Sequence, residues 1–412
     1  MDARELDIDI DDLNEILNDS FKSYLEEIIK KDKKKGKEKY EKRELDKIRE
    51  QQLNNQQPDI ENNVDGKLTS SIIDENNYIQ WLHLSDFHIK PNEAYNTSPI
   101  FDALQDDIEK LMEDYSITAF DFIIITGDLG YFGNDGDYVD VIHLLDNILD
   151  YTNTLKDKLY IVPGNHDVNR EIVENQKYQI KTEWKSVNDA NNFMTGDKTI
   201  LKAFFNKFNG YSKFIKNYFD GSRAFNHESN FLTHILSIKD RKVALIGLNS
   251  CLISGKDKEE GTLMITENQL NRALQKFRQN DDLKCDLKDI PLRICFFHHP
   301  LDFINQNEVR AIENSIFKNF DFLLNGHIHD SVYKKTTKSD RHSLINIIAG
   351  STFIRNSRPK EEKQCYNIIR INSKSLEGHG HFRRFDKGAE NWAIDTSVGN
   401  EFGIVEVKLE NE

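Results

Sequence analysis

The sequence predicts an α/β fold in which parallel strands alternate with helices and a second, more antiparallel set of strands follows. Three observations lead there. Apolar runs rich in Ile, Leu, Phe and Val recur along the chain: IQWLHL before Asp86, FDFIIIT before Gly127, LYIVP before Gly164, PLRICFF before His298 and FDFLLN before Gly326. Runs of this length that end at Gly, Pro or Asp read as buried strands. Helical patterns lie between them, near 99–115, 136–151, 266–279 and 306–318, and strand–helix repetition implies parallel strands with helices outside. Shorter runs at 331–336, 344–349, 366–371, 379–385 and 402–408 carry few helix signals. They suit a second sheet packed face to face on the first.

In chain order, residues 1–50 are expected to form an N-terminal helical extension. Its first 29 residues are acidic, yet Leu13, Ile16, Leu17, Phe21, Tyr24, Leu25, Ile28 and Ile29 recur at three- and four-residue steps, the mark of an amphipathic helix. Residues 30–50 alternate Lys/Arg with Glu/Asp and read as a solvated helix or tether. A polar linker at 51–76, including QQLNNQQPDIENN, precedes a domain spanning 77–411. An apolar stripe held on a long tether must be buried somewhere, so residues 9–29 are expected to dock on a protein partner or a second copy, or to fold back on the domain. The stretch 168–230 is far longer than an ordinary connection. It carries Trp184, Phe193, Phe204, Phe205, Phe208, Tyr211, Phe214, Tyr218 and Phe219 on helical spacings, which reads as a helical insertion with a small core of its own. Residues 331–411 supply the second-sheet strands.

Five short blocks sit at the ends of the predicted strands: SDFH at 85–88, GD at 127–128, GNHD at 164–167, HH at 298–299 and GHIH at 326–329. Open α/β sheets bind ligands beyond the carboxyl ends of their strands, so position and chemistry agree. The blocks offer imidazoles, carboxylates and one Asn amide. Such mixed N and O donors without Cys suit Mn²⁺, Fe, Zn²⁺ or Co²⁺. A pair of ions needs one carboxylate between them, holding them roughly 3.5–4 Å apart.

In this order the blocks resemble the calcineurin-like metallophosphoesterase superfamily, over roughly residues 78–350. GDLGYFG, VPGNHDVNR and FFHHP look most similar to the branch of bacterial cyclic-nucleotide phosphodiesterases. The resemblance implies an αββα sandwich of two mixed β-sheets flanked by helices. It also implies two divalent metal ions, Mn²⁺ first, with Fe, Zn, Co or Ni as alternatives. Asp86, His88 and His329 would hold one ion, Asn165, His298 and His327 the other, and Asp128 would bridge. A metal-bridging hydroxide would attack phosphorus, and His166, oriented by Asp167, would protonate the leaving alkoxide. General acid help of this kind is worth about 10²–10⁴ in rate.

Other residues invite plainer readings. His83, within the strand before Asp86, is expected in the core, and His299 is expected to point to the side opposite His298. His227, His234, His342, His379 and His381 match no block and read as structural or surface groups. Phe87, Tyr131 and Phe132 could stack on a nucleobase. The net charge of −15 disfavours a protein that grips long nucleic acid through phosphate neutralisation. Four Cys at 251, 285, 295 and 365 lack paired spacing, which suits reduced thiols in a cytoplasm. The start MDARELDIDIDD has neither a basic nor an apolar leader region, and no run reaches membrane-span length.

The expected activity is that of a phosphodiesterase for a nucleotide-like substrate, such as a cyclic mononucleotide or short cyclic oligonucleotide. The alternatives are a metal-dependent nuclease working with a partner protein, and a regulatory protein acting through its N-terminal helix. By resemblance alone, nucleotide signalling or antiviral defence is the setting. Removing residues 1–60 should change the oligomeric state, partner binding or melting temperature, measured by light scattering, pull-down and calorimetry. If all three stay the same, the docking role of the helix is wrong.

Overall fold

The computed structural model describes residues 77–91, 94–174, 186–255, 259–278, 286–337, 343–353 and 363–409. The N-terminal extension, the linker, Trp184, Cys285 and His342 lie outside the described residues.

The first half of the chain alternates as expected: β1 (Tyr78–Leu84), α1 (Ala94–Asp114), β2 (Phe122–Ile125), α2 (Tyr138–Tyr151) and β3 (Leu159–Ile161). The insertion follows as α3 (Val187–Met194), α4 (Lys198–Phe204) and α5 (Asn209–Tyr218). A hairpin of β4 (Leu232–Ile238) and β5 (Arg241–Gly247) leads into α6 (Glu267–Arg278), β6 (Leu292–Phe296), α7 (Gln306–Asn319) and β7 (Phe322–Asn325). The late strands are β8 (Ser331–Thr337), β9 (Ser343–Ala349), β10 (Cys365–Asn372), β11 (Glu377–Asp386), β12 (Asn391–Ile394) and β13 (Ile404–Lys408).

Two mixed sheets result. One runs β12-β11-β10-β1-β2-β3 with β13 paired to β11, and the other runs β4-β5-β6-β7-β9-β8. The strands β1, β2 and β3 are parallel, as are β5, β6, β7 and β9, while β10 joins β1 antiparallel. The late strands therefore do not make up a second sheet, as the sequence suggested: β8 and β9 complete one sheet and β10–β13 the other. The reason lies in their faces. SLINIIA in β9 and CYNIIRIN in β10 are buried on both sides, and a strand buried on both faces must sit inside a covered sheet, β9 parallel to β7 and β10 antiparallel to β1.

Alternation along the strands builds three apolar layers. Ile79 and Trp81 of β1, Phe122 and Ile124 of β2, Ile294 and Phe296 of β6, and Phe322 and Leu324 of β7 meet between the sheets. Leu82, Leu84, Ile123 and Ile125 turn outward against α1, α2 and the insertion, and Cys295, Phe297 and Leu323 turn outward against α6 and α7. This is the αββα sandwich, with core periodicity of two on every central strand. The aromatics of the insertion are part of this larger core and do not form one of their own. Phe214 stacks on Tyr138 of α2 at 4.7 Å, and Phe204, Phe205, Phe208 and Tyr211 belong to the same cluster.

Trp81 is fully buried at the centre of the inter-sheet layer, stacked on Phe122 at 5.4 Å and edge-on to Phe322 at 5.3 Å. Trp81→Ala should lower unfolding free energy by about 3–5 kcal/mol. Urea denaturation followed by circular dichroism measures it.

Candidate metal centre

Each block occupies the turn that leaves a parallel strand: Asp86 and His88 after β1, Asp128 after β2, Asn165 after β3, His298 after β6, and His327 and His329 after β7. Both sheets thus deliver donors to one place. Five of the seven take left-handed backbone, with φ of 56° at Asp86, 49° at His88, 55° at Asp128, 73° at His327 and 49° at His329. Asp and His tolerate that region better than most side chains. The glycines of the blocks permit the close approach: a Cβ on Gly164 would overlap Asp128 Oδ1, and one on Gly326 would overlap Ser85 Oγ.

The seven donors sort into two groups. In the first, His88 Nε2 lies 3.1 Å from His329 Nε2, His329 Nε2 lies 3.1 Å from Asp86 Oδ1, and His88 Nε2 lies 3.6 Å from Asp86 Oδ1. In the second, Asn165 Oδ1 is 3.0 Å from both His298 Nε2 and His327 Nδ1, which are 3.2 Å from each other. Asp128 Oδ2 stands between the groups, 3.8 Å from His88 Nε2 and 3.3 Å from His298 Nε2. Donors bound about 2.1 Å from one ion lie roughly 3.0–3.4 Å apart, so the spacing fits. The chemistry also fits: two ring nitrogens and a carboxylate oxygen converging at one point can share a cation, whereas a single proton satisfies only one pair.

Surrounding contacts fix the donors. Asp86 Oδ2 accepts from Ser85 Oγ at 2.5 Å and from the His327 backbone N–H at 2.9 Å, which turns Oδ1 toward the histidines. Asp128 Oδ1 accepts from the His166 backbone N–H at 2.7 Å, leaving Oδ2 for the centre. His298 Nδ1 donates to the Thr126 carbonyl at 2.7 Å, which turns Nε2 toward the centre. Burial, then the neighbouring His166, lowers His88 to about 4, and burial lowers His327 to about 2. Both imidazoles thus present lone pairs rather than protons. Burial opposes charge on the carboxylates too, but His298 and the other imidazoles hold Asp86 and Asp128 below the usual carboxylate range. Against its own burial, His298 is raised to about 9 by Asp128 and Asp86.

Three expectations change. Asp167 was expected to orient His166, but both its oxygens are committed to the backbone and a tyrosine. Oδ1 accepts from Gly130 N–H and Tyr138 Oη, each at 3.0 Å, and Oδ2 from Gly164 N–H at 2.9 Å and Leu129 N–H at 3.3 Å. A carboxylate offers about four acceptor sites, so Asp167 ties the GD loop to the GNHD loop. The His166 ring is held instead by Nδ1 donating to the Tyr131 carbonyl at 3.0 Å, 4.5 Å ring to ring from His88. His299 does not point away from the centre. It is buried with Nδ1 2.9 Å from Ser250 Oγ, Nε2 3.4 Å from Glu259 Oε2, and its ring 4.5 Å from that of His327. Sequence reading missed Ser250 and Glu259, which lie in no block, and gave no role to Ser85, which stands in plain view inside SDFH.

His83 is a core residue, its Nε2 3.1 Å from Thr126 Oγ1. Phe87 is buried edge-on to Phe353, which removes it from any stacking surface. Tyr131 and Phe132 stay at the rim: Phe132 is 48% exposed, and Lys90 Nζ lies 4.2 Å above the Tyr131 ring.

A two-sheet sandwich with a His/Asp/Asn donor cluster at its strand ends defines a metallophosphoesterase-type protein. The family model described as calcineurin-like phosphoesterase matches residues 80–331, and the chain belongs to that family. An uncharacterized metallophosphoesterase-like protein of Bacillus subtilis, YydB, is 29% identical over 276 residues, covering 66% of this chain and 53% of that protein. The match therefore spans about half the length of that relative. Among solved structures, Vps29 of Chaetomium thermophilum is similar with a TM-score of 0.33 and 11% identity, over 81% of this chain and 97% of its own. The sulfate thiohydrolase SoxB of Thermus thermophilus gives a TM-score of 0.34 and 11% identity, over 71% and 53%. No helix among the described residues is long and apolar enough to cross a membrane.

Metal analysis of the purified chain by plasma mass spectrometry should find two ions per chain. Asp128→Ala should lose both, and His329→Ala should lose one while keeping the other. Equal metal content in all three proteins would refute the assignment.

Proposed function

We propose that the chain is a binuclear metal-dependent phosphodiesterase acting on a nucleotide-like phosphodiester, with Mn²⁺ as the working ion. The observation that carries this reading is Asp128 Oδ2, shared by two converging donor groups, with His166 beside them. Two divalent ions held there supply a water of lowered pKa and positive charge opposite the phosphoryl oxygens.

The chain's own residues supply the rest. His166 Nδ1 donates to the Tyr131 carbonyl, so that ring nitrogen keeps its hydrogen and the ring's orientation is set. The proton that reaches the leaving alkoxide then comes from Nε2 of the imidazolium form. Asp167 acts one step back, fixing the loops that carry Asp128 and His166. Tyr131 and the exposed ring of Phe132, with Lys90 over them at 4.2 and 5.8 Å, form an aromatic and cationic rim. A base can stack there while its phosphate faces the metal donors. This rim favours a nucleotide-like substrate over an aliphatic phosphodiester.

With Mn²⁺, the protein should hydrolyse both bis-p-nitrophenyl phosphate and a cyclic mononucleotide. Asp128→Ala should abolish turnover of each. His166→Ala should cost about 10²–10⁴ in kcat on the cyclic nucleotide, whose alkoxide needs a proton, and far less on the nitrophenyl ester, whose phenolate does not. No metal-dependent turnover on any phosphodiester would overturn the activity; equal loss on both substrates would overturn His166 as the acid.

A further inference from the structure

The loop Gly130–Asn134 carries two parts of the proposed site: the Tyr131 carbonyl that receives His166 Nδ1 at 3.0 Å, and the aromatic rim under Lys90. It is wrapped around one side chain. Asp137 is 1% exposed, and its Oδ2 accepts from the backbone N–H groups of Tyr131 at 3.2 Å, Phe132 at 2.5 Å and Asn134 at 3.4 Å. A buried carboxylate is costly unless hydrogen bonds meet its charge, and here one oxygen gathers three amides.

An Asp just before a helix ordinarily caps it. Asp137 directly precedes α2, yet its carboxylate makes no capping bond to that helix and turns back onto the loop. Gly130 leaves room for this, since a Cβ there would lie 3.0 Å from Asp137 Cβ. The closest of the three contacts has the largest consequence. Phe132 N–H and the Tyr131 carbonyl are the two ends of one peptide group, which is planar and trans, so they point in opposite directions. Asp137 holds one side of that peptide at 2.5 Å, and His166 is held on the other at 3.0 Å. If the peptide rotated, its carbonyl would swing away from the imidazole. A bond to a charged acceptor is roughly twice as strong as a neutral one, and polarising the N–H end strengthens acceptance at the C=O end.

We propose that Asp137 is the positioning residue for the His166 ring, acting through the peptide between Tyr131 and Phe132. Its part in turnover rests on the reading of His166 as the proton donor.

Asp137→Ala removes the acceptor, and Asp137→Asn keeps an oxygen of the same reach without the charge. In the full chain with Mn²⁺, Asp137→Ala should lower kcat on a cyclic mononucleotide about tenfold or more, and Asp137→Asn by less, while both lose far less on bis-p-nitrophenyl phosphate. Asp137→Asn should match the wild type in metal content and circular dichroism, and it carries the test if the alanine variant does not fold. Added to His166→Ala, it should cost nothing further in kcat, because the two residues act as one unit. A second readout needs no turnover. In the Zn²⁺-loaded chain, long-range nitrogen–proton NMR of the ring is assigned by difference from His166→Ala and recorded well above the ordinary imidazole pKa of about 6.5. It should place the hydrogen on Nδ1 in the wild type and share it between both ring nitrogens in the Asp137 variants. An unchanged ring-nitrogen state overturns the proposal, as does equal loss on both substrates or a loss that adds in full to that of His166→Ala. A ring that responds while turnover shows no dependence on the leaving group upholds the positioning role and overturns His166 as the acid.

Discussion

One carboxylate oxygen, Asp128 Oδ2, sets the terms for the rest of the centre. It must face His88 from one sheet and His298 from the other, so the carboxyl ends of β1, β2, β6 and β7 have to converge from opposite sides of the inter-sheet core. The turns that achieve this hold Asp86, His88, Asp128, His327 and His329 in left-handed backbone. Non-glycine residues in such regions cost on the order of 1–3 kcal/mol each and persist only where neighbours over-determine them. Here the neighbours are backbone pairs between the turns. Asp86 N–H donates to Gly127 O at 3.0 Å, His88 N–H to Asp128 O at 2.9 Å, and Gly326 N–H to His298 O at 2.9 Å.

The loop that carries Asp128 also depends on distant chain. Asp167 gathers four donors from the GD and GNHD loops and from Tyr138, and Tyr138 stacks on Phe214 of the insertion. Gly210 of α5 packs so closely on Gly133 and Asn134 that a Cβ there would overlap the Gly133 carbonyl. Asn169 N–H donates to Lys207 O at 2.8 Å. The insertion is therefore continuous with the outer core of the first sheet, and it packs against the turns that carry Asp128 and His166.

How much of this could be read from the residues follows from the range of the forces involved. The strands after which the blocks fall, the helices between them and the seven candidate donors that meet at one place were legible, because apolar periodicity and short motifs are local patterns. The assignment of late strands to sheets was not, because pairing β9 with β7 and β10 with β1 is decided by two-sided burial over long sequence separations. The role of Asp167 was hidden for a similar reason. Its neighbour His166 is adjacent in sequence, but its partners Leu129, Gly130 and Tyr138 arrive from 29 to 38 residues away. Phe87 looked like part of a stacking surface because it sits inside a ligand motif, yet strand-end geometry turns it into the core beside Phe353.

Charge at the proposed site works against the character of the whole chain. A net charge of −15 would repel a phosphodiester at long range, but surface charges are screened within roughly 8–10 Å at physiological salt. Inside that distance the local balance governs. The proposed ligand set would contribute only the carboxylates of Asp86 and Asp128, with four imidazoles and one amide completing it, so two dications bound there would leave the centre positive where a phosphate would sit. A donor set richer in carboxylates would hold ions as well, yet would cancel the charge proposed to draw a phosphodiester and to offset the negative charge developing on its phosphoryl oxygens. Imidazole in place of carboxylate at His88, His298, His327 and His329 would thus serve electrostatics as much as coordination, and would let an acidic protein bind an anion at the proposed centre.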